Sequence, residues 1–304
     1  MNNTTKIIVK KLVNYVINLL KQLLCFFNKM LEIDFNLFDH NFCEATLYST
    51  GQHPEYLNAI SSLFITFVGL NGMRKPHLTF LLSLVYACLS VNGVLSFLYH
   101  YYNSIGYGLL DRMSMVLLAL NTTYMFVQSL KNEHSIILSN TRNILLHVTI
   151  ISYYSMLLTV AGLHKEILFN IMFALFLGSI VYYMYKIHLL SNNTVSSSAE
   201  PNNLKFIALL NKIPLKIHNI GWKGVRYIVY SGIFWLSTEA LCYQFSFIKY
   251  LFGHVWWHVF VSYGGYMVSI VPHYIHMVKY QDDMIVYVCY DIFGFPYLDY
   301  NNIV

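Results

Sequence analysis

Long apolar stretches, separated by short polar segments, run through the sequence from about residue 55 to residue 277. A membrane-spanning helix needs about 20 mostly apolar residues, and seven stretches approach that length. They cover about residues 55–73, 77–99, 109–130, 143–162, 166–187, 223–245 and 253–277. The pattern predicts an all-α fold, a bundle of seven transmembrane helices within residues 36–280, followed by a tail at 281–304.

The first 35 residues have a different pattern, in which polar side chains recur every three or four positions. These side chains are Lys6, Lys10, Asn14, Asn18 and Lys21. The spacing places them on one face of a helix, opposite isoleucine, valine and leucine residues. It predicts an amphipathic basic extension that lies in the membrane interface, and a signal anchor is the alternative.

The composition also favours a membrane protein. Hydrophobic residues make up 57% of the 304 residues and charged residues only 11%, against about 25% charged residues in an average soluble domain. So little charge cannot cover the surface of a water-soluble protein of this size. The sequence shows no nucleic-acid signature, and its five cysteines have no CxxC or zinc-finger spacing.

The distribution of basic residues predicts the orientation in the membrane. The loops after spans 2, 4 and 6 contain only Lys165 and Lys249, whereas the loops after spans 1, 3 and 5 are richer in lysine and arginine. Basic loops stay in the cytosol, so the 188–222 segment and the C-terminal tail are predicted to be cytosolic. The five lysines of residues 1–30 conflict with this orientation, and the conflict is smaller if the first helix lies flat or is an anchor.

Three polar clusters stand at predicted ends of spans. Ser96 and His100 end span 2, Asp111 begins span 3, and His254 and His258 begin span 7. Titratable groups at membrane depth are costly, so each is a candidate for function. These three helix ends lie on the same side of the membrane in any seven-helix serpentine, and a shared site is therefore feasible.

Together, these residue types fit the site of a zinc hydrolase. His254 and His258 lie four residues apart, so their imidazoles can converge on one ion, and His100 would complete the three-nitrogen pattern of catalytic zinc. Asp111 could accept and return a proton, and Ser96 could donate a hydrogen bond to an oxyanion. Spacing alone leaves open a second interpretation, in which these histidines are ordinary residues at the membrane–water interface. An HxxxH pair is a weak motif in a chain with 13 histidines.

Several separated blocks in this order resemble the alkaline ceramidases, and more broadly an integral-membrane hydrolase superfamily that includes adiponectin-type receptors and GPI-remodelling lipid hydrolases. The resemblance covers about residues 40–300. The blocks are SFLYH at 96–100 with Asp111, HVWWH at 254–258 with YGGY at 263–266, Cys43-Glu44 with Glu55 and Asn58, Trp235 with Cys242, and FGFP at 293–296.

The resemblance implies a zinc-dependent hydrolase that cleaves the ceramide amide bond to sphingosine and a free fatty acid. His100, His254 and His258 would hold the zinc ion, and Asp111 and Ser96 would complete the catalytic set. The partners are then ceramide and membrane lipid. The protein would be a multi-pass integral membrane protein of the endoplasmic reticulum or Golgi membrane. The alternatives are a related membrane lipid esterase and a non-catalytic seven-helix receptor with a structural zinc. The oligomeric state is not predicted.

The resemblance also implies a calcium site in the N-terminal segment. Its ligands would be Asn41, the backbone carbonyl of Phe42, Glu44, Thr46 and Glu55. The family has Asp where Asn41 stands and Asn where Thr46 stands. One carboxylate is thereby lost, and we expect calcium to bind weakly or not at all.

Two further features follow from the resemblance. The family's paired cysteines fall on Cys43 and Cys242, both on the predicted non-cytosolic side, where disulfides persist. After Asp111 the family has Glu-x-Pro, whereas this chain begins the same segment with Arg112. Successive helical side chains point about 100° apart, so Arg112 need not clash with Asp111.

Overall fold

The structure is a computed structural model that describes Asp39 and residues 42–47, 54–130, 163–192, 213–280 and 284–302. Within these residues the chain forms six α-helices, two short 3-10 helices and two β-strands. The helices are α1 (Tyr56–Met73), α2 (Phe80–Tyr102), α3 (Ile105–Ser129), α4 (Leu163–Asn192), α5 (Leu215–Leu241) and α6 (Gly253–Tyr280). The 3-10 helices are Cys43–Leu47 and Ile248–Leu251, and the strands are β1 (Met284–Tyr290) and β2 (Pro296–Asn302).

The described chain is mostly helical, as the apolar pattern predicts. Each of α1 to α6 overlaps with one predicted span, while the span at 143–162 and the amphipathic helix of residues 1–35 lie outside the described residues. Three described segments are long and apolar enough to cross a membrane, namely Tyr56–Met73, Phe80–Tyr102 and Phe169–Leu189. The structure therefore supports association with a membrane.

The features described below belong to one compact unit, Asn36–Asn132 and Phe173–Val304. Of the other unit, the structure describes only the first part of α4.

A tight reversal between α2 and α3 brings two of the candidate residues to one end of the bundle. Asn103 adopts a left-handed conformation with φ of 49°, and its N–H donates to the carbonyl of Tyr99 at 2.7 Å. Ser104 then caps α3, because its hydroxyl accepts the N–H of Tyr107 at 3.4 Å. His100, near the end of α2, and Asp111, near the start of α3, therefore lie at the same end of the bundle.

The helices α5 and α6 approach each other through two facing glycines. A Cβ atom on Gly224 would lie 2.6 Å from the carbonyl oxygen of Gly264, and a Cβ atom on Gly264 would lie 2.7 Å from that of Gly224. Both distances are too short for real atoms, so only glycine permits this approach. The contact holds α6, which carries His254 and His258, against α5.

The C-terminal tail forms an antiparallel hairpin, with Met284 opposite Asn302 and Tyr290 opposite Pro296. Phe295 and Leu298 are buried in the same core as the helices, and the hydroxyl of Tyr266 donates to the carbonyl of Pro296 at 2.7 Å. The prediction of an all-α fold omitted this hairpin. Its strands are stabilised by packing against α6. This packing is a long-range contact, so the local sequence pattern does not predict it.

Candidate metal centre

Three histidines from two helices meet at one end of the bundle. α2 contributes His100 from its last turn, and α6 contributes His254 and His258 from its first two turns. One ligand nitrogen from each histidine lies within 4.8 Å of the other two, and all three side chains are buried. The structure thus brings together the three histidines that the sequence singled out.

His100 is oriented by a carboxylate. Its Nδ1 lies 2.7 Å from Oε2 of Glu55, the residue directly before α1. The other oxygen of Glu55 accepts the N–H of Phe42 at 2.6 Å, so the carboxylate also holds the N-terminal segment. A carboxylate that accepts the Nδ1 proton selects one tautomer of the imidazole and makes Nε2 the nitrogen that can bind a metal.

His258 is oriented by serine hydroxyls of α1. Its Nδ1 lies 2.8 Å from Oγ of Ser61 and 3.3 Å from Oγ of Ser62. Ser61 donates its own proton to the carbonyl of Asn58 at 2.9 Å, so its oxygen accepts the proton on Nδ1 of His258. Here too Nε2 becomes the metal-binding nitrogen.

His254 lies between an acidic side chain and aromatic rings. Its Nδ1 is 3.8 Å from Oε1 of Glu239, whose other oxygen accepts the N–H of Cys43 at 2.8 Å. The rings of Phe42 and Trp235 pack on its imidazole with centroids 4.4 Å and 4.9 Å away. All three histidines therefore have a polar contact from another element of the fold.

Ser96 and Asp111 are linked to the histidines through hydroxyl groups. Oγ of Ser62, which contacts His258, lies 3.0 Å from Oγ of Ser96. The carboxyl group of Asp111, which lies close to Ser96, accepts the side-chain amide of Asn92 at 3.2 Å. The five side chains are buried, so the network is shielded from solvent.

Sequence reasoning did not single out several of these polar partners. They are Ser61, Ser62, Asn92 and Glu239, together with Glu55 in its contact with His100. One signal was present, since Asn58, Ser61 and Ser62 form a polar stripe with helical spacing on α1, which is mostly apolar. No comparable pattern marks Glu239 or Asn92.

The predicted calcium ligands are only partly described. Asn41 and the side chain of Thr46 lie outside the described part of the structure. The carboxylate of Glu44 accepts the N–H groups of Leu57 and Asn58, each at 2.7 Å, and thus caps the start of α1. With Glu55 bound to Phe42 and His100, both predicted carboxylate ligands have structural contacts, and calcium binding stays a prediction.

The predicted disulfide between Cys43 and Cys242 is present, with their Cα atoms 6.0 Å apart. It joins the 3-10 helix Cys43–Leu47 to the residue that follows α5. Because Cys43 also donates to Glu239, the bridge lies next to the contact between Glu239 and His254.

Arg112, which departs from the family's pattern, forms a partly buried ion pair with Asp39, with Nη2 2.9 Å from Oδ2. The hydroxyl of Tyr99 donates to the same carboxylate oxygen at 2.9 Å. A Cβ atom on Gly108 would lie 2.8 Å from Oδ2 of Asp39, so the ion pair needs a glycine there. The guanidinium therefore binds the segment before α1, in agreement with its expected direction.

Comparison with known protein families identifies the family of this chain. A family model described as Ceramidase matches residues 39–299, whereas no curated protein matches the sequence. The matched region contains the three histidines, Ser96, Asp111 and both cysteines of the disulfide. It covers most of the chain, and we conclude that the chain belongs to the ceramidase family.

Proposed function

We propose that this protein is a zinc-dependent amidase that hydrolyses ceramide to sphingosine and a free fatty acid. Membership of the ceramidase family implies hydrolysis of ceramide. The observation that supports metal dependence is the convergence of three buried histidines within ligand distance of one another.

The donor set suits zinc. Three imidazole nitrogens with a further coordination position left open are a common arrangement at catalytic zinc sites. Glu55 and Ser61 engage Nδ1 of His100 and His258, so that Nε2 of each is the nitrogen available for binding. A bound zinc ion would supply Lewis-acid polarisation of the amide carbonyl and would acidify a water molecule.

Asp111 and Ser96 are proposed to handle the proton and the oxyanion. The carboxylate of Asp111 accepts a proton from the attacking water and delivers it to the amine of the leaving sphingosine. Ser96 donates a hydrogen bond from its hydroxyl group to the oxyanion that develops on the amide carbonyl. Asn92, which donates to Asp111, holds the carboxylate in place for both steps.

We also propose a seven-helix transmembrane topology with a cytosolic C-terminus, in the endoplasmic reticulum or Golgi membrane. In this arrangement residues 1–35 form an amphipathic extension, 36–280 the hydrolase domain and 281–304 the tail. The basic loops after the odd-numbered spans support this orientation. It places the disulfide on the non-cytosolic side, in the oxidising environment that such bridges need.

The deciding experiment combines metal analysis of the purified protein with sphingosine release from a panel of ceramides. We expect stoichiometric zinc and activity in the wild type, and loss of both in His258→Ala. Asp111→Ala should keep its zinc but lose about 10²- to 10⁴-fold in turnover. Full activity in Asp111→Ala would refute the proton-transfer role.

The same preparation separates the alternatives. Zinc with turnover of ester substrates alone would indicate a lipid esterase. Zinc without turnover of any lipid would indicate a receptor with a structural metal. Well-folded protein without zinc would refute the metal centre.

A further inference from the structure

The turn of the C-terminal hairpin presents apolar side chains at its surface. Ile292 is 92% exposed and Phe293 is 58% exposed, and we call these two residues the hairpin tip. The ring of Phe293 packs edge-on against Phe67 of α1, with centroids 5.3 Å apart. The hairpin tip therefore touches the side of a helix that is long and apolar enough to cross a membrane.

The surface of α1 around this contact is continuously apolar. It is formed by the exposed side chains of Ile60, Leu63, Phe67 and Leu70. On a membrane-spanning helix such a face is covered by lipid acyl chains. Phe67 lies six residues before the end of α1 at Met73, which corresponds to about 9 Å along the helix axis. The hairpin tip thus lies well inside the end of the apolar helix.

The backbone of the turn is hydrogen-bonded within the protein. Oδ1 of Asp291 accepts the N–H groups of Phe293 and Phe295, each at 2.8 Å. The carbonyl of Asp291 accepts the N–H of Gly294 at 3.0 Å, and the carbonyl of Gly294 accepts the hydroxyl of Tyr263 at 3.2 Å. A turn that contacts hydrocarbon must satisfy its polar backbone groups in this way.

The charge of Asp291 is balanced at the end of α1. Its Oδ2 pairs with the ammonium group of Lys75 and accepts the side-chain amide of Asn71 at 2.8 Å, both near the end of α1. Behind the turn, the ammonium group of Lys216 lies 5.2 Å from the ring centre of Tyr290. Lysine and tyrosine at this level are typical of the boundary between acyl chains and water.

From these contacts we propose that the hairpin tip is inserted into the lipid bilayer at the level of Phe67. The partner is the acyl-chain region of the membrane, and the inserted side chains are Ile292 and Phe293. The C-terminal tail is then a membrane anchor that packs on the helices and on lipid together. This role does not depend on zinc or on the hydrolysis of ceramide.

Spin labelling of the full chain in phosphatidylcholine nanodiscs tests the proposal. A nitroxide is attached at Ile292→Cys after Cys25, Cys88 and Cys289 have been changed to serine, and the Cys43–Cys242 disulfide is kept. Collision rates with oxygen, which concentrates in acyl chains, and with a water-soluble nickel chelate are compared. A label at Ile60→Cys, on the exposed face of α1, provides the lipid-facing control. A label at Tyr287→Cys provides the water-facing control, because Tyr287 pairs with the charged residue Asp299 across the hairpin.

We expect the label at position 292 to collide several-fold more with oxygen than with nickel, as at position 60, and the label at position 287 to show the reverse. A label at 292 with the water-like values of position 287 would overturn the proposal. A label that neither reagent reaches would also overturn it, because the hairpin tip would then be covered by protein. Zinc content and ceramide turnover of the same samples are measured separately, so failure of either proposal is recognised on its own.

Discussion

His100 and Glu55 are joined by two hydrogen bonds at the entrance to the first helix. Nδ1 of His100 lies 2.7 Å from Oε2 of Glu55, and the N–H of Glu55 donates to the carbonyl of His100 at 2.9 Å. Both side chains are fully buried. The start of α1 is therefore tied to the last turn of α2 at the histidine that we propose as a zinc ligand.

Glu55→Gln should weaken zinc binding, because a carboxylate on the distal nitrogen orients a histidine ligand and raises its basicity. Outer-shell changes of this kind cost about 10- to 100-fold in metal affinity. Chelator competition in calcium-free buffer measures the effect, with Glu44→Gln as the matched control, since the Glu44 carboxylate accepts backbone N–H groups of α1. Unchanged zinc affinity in Glu55→Gln would contradict the assigned role.

Removal of the Cys43–Cys242 disulfide should destabilise the protein strongly. The bridge joins residues 199 positions apart in the sequence, and loss of such a cross-link costs about 2–5 kcal/mol in the free energy of unfolding. Thermal unfolding in detergent of Cys43→Ser is compared with Cys88→Ser, which removes a cysteine that is not in a disulfide. Equal stability of the two variants, or unchanged gel mobility of the wild type on reduction, would argue against the bridge.

Alanine substitution at two neighbouring glycines of α6 should have different effects on the free energy of unfolding. A Cβ atom on Gly264 would lie 2.7 Å from the carbonyl of Gly224, whereas one on Gly265 would meet no atom within 4 Å. Gly264→Ala is expected to lower the free energy of unfolding by about 1–3 kcal/mol through overpacking. Gly265→Ala should be neutral or stabilise the helix by up to about 1 kcal/mol. Denaturation of both variants in the same detergent measures the difference, and equal effects would refute the close approach of α5 and α6.

The turn of the hairpin should loosen at acidic pH through Asp291. Burial alone would raise the pKa of this carboxyl group, but hydrogen bonds from Lys75, Asn71 and the N–H groups of Phe295 and Phe293 lower the pKa to about 2. An unperturbed aspartate has a pKa of about 3.9. Because the folded pKa is the lower of the two, the stabilisation is complete above about pH 4 and is lost as the pH falls towards about 2.

Hydrogen exchange of the Phe293 and Phe295 amides, expressed as protection factors, measures this loosening of the turn. We expect protection to fall between about pH 4 and pH 2 in the wild type, and to be lower and independent of pH over this range in Asp291→Asn. A fall in protection of the same size in Asp291→Asn would assign the effect to another group.

Patterns along the chain were sufficient to predict the six described α-helices and the three histidines that meet at the candidate site. Apolar stretches report helices because each helix is hydrogen-bonded within its own segment and hides its backbone from lipid. The i, i+4 spacing of His254 and His258 predicts that both lie on one face of a helix, because this relation depends only on local helix geometry. The position of His100 at the matching end of α2 followed from counting the spans.

Only the tertiary structure decided which side chains surround these histidines. Glu55 contacts His100 across 45 residues of sequence, and Ser61 contacts His258 across 197 residues. The same is true of the Asp39–Arg112 ion pair and of the hairpin, whose buried Phe295 and Leu298 pack into the core of the helices. Contacts of this kind depend on how the helices pack in space, which the periodicity of the sequence does not encode.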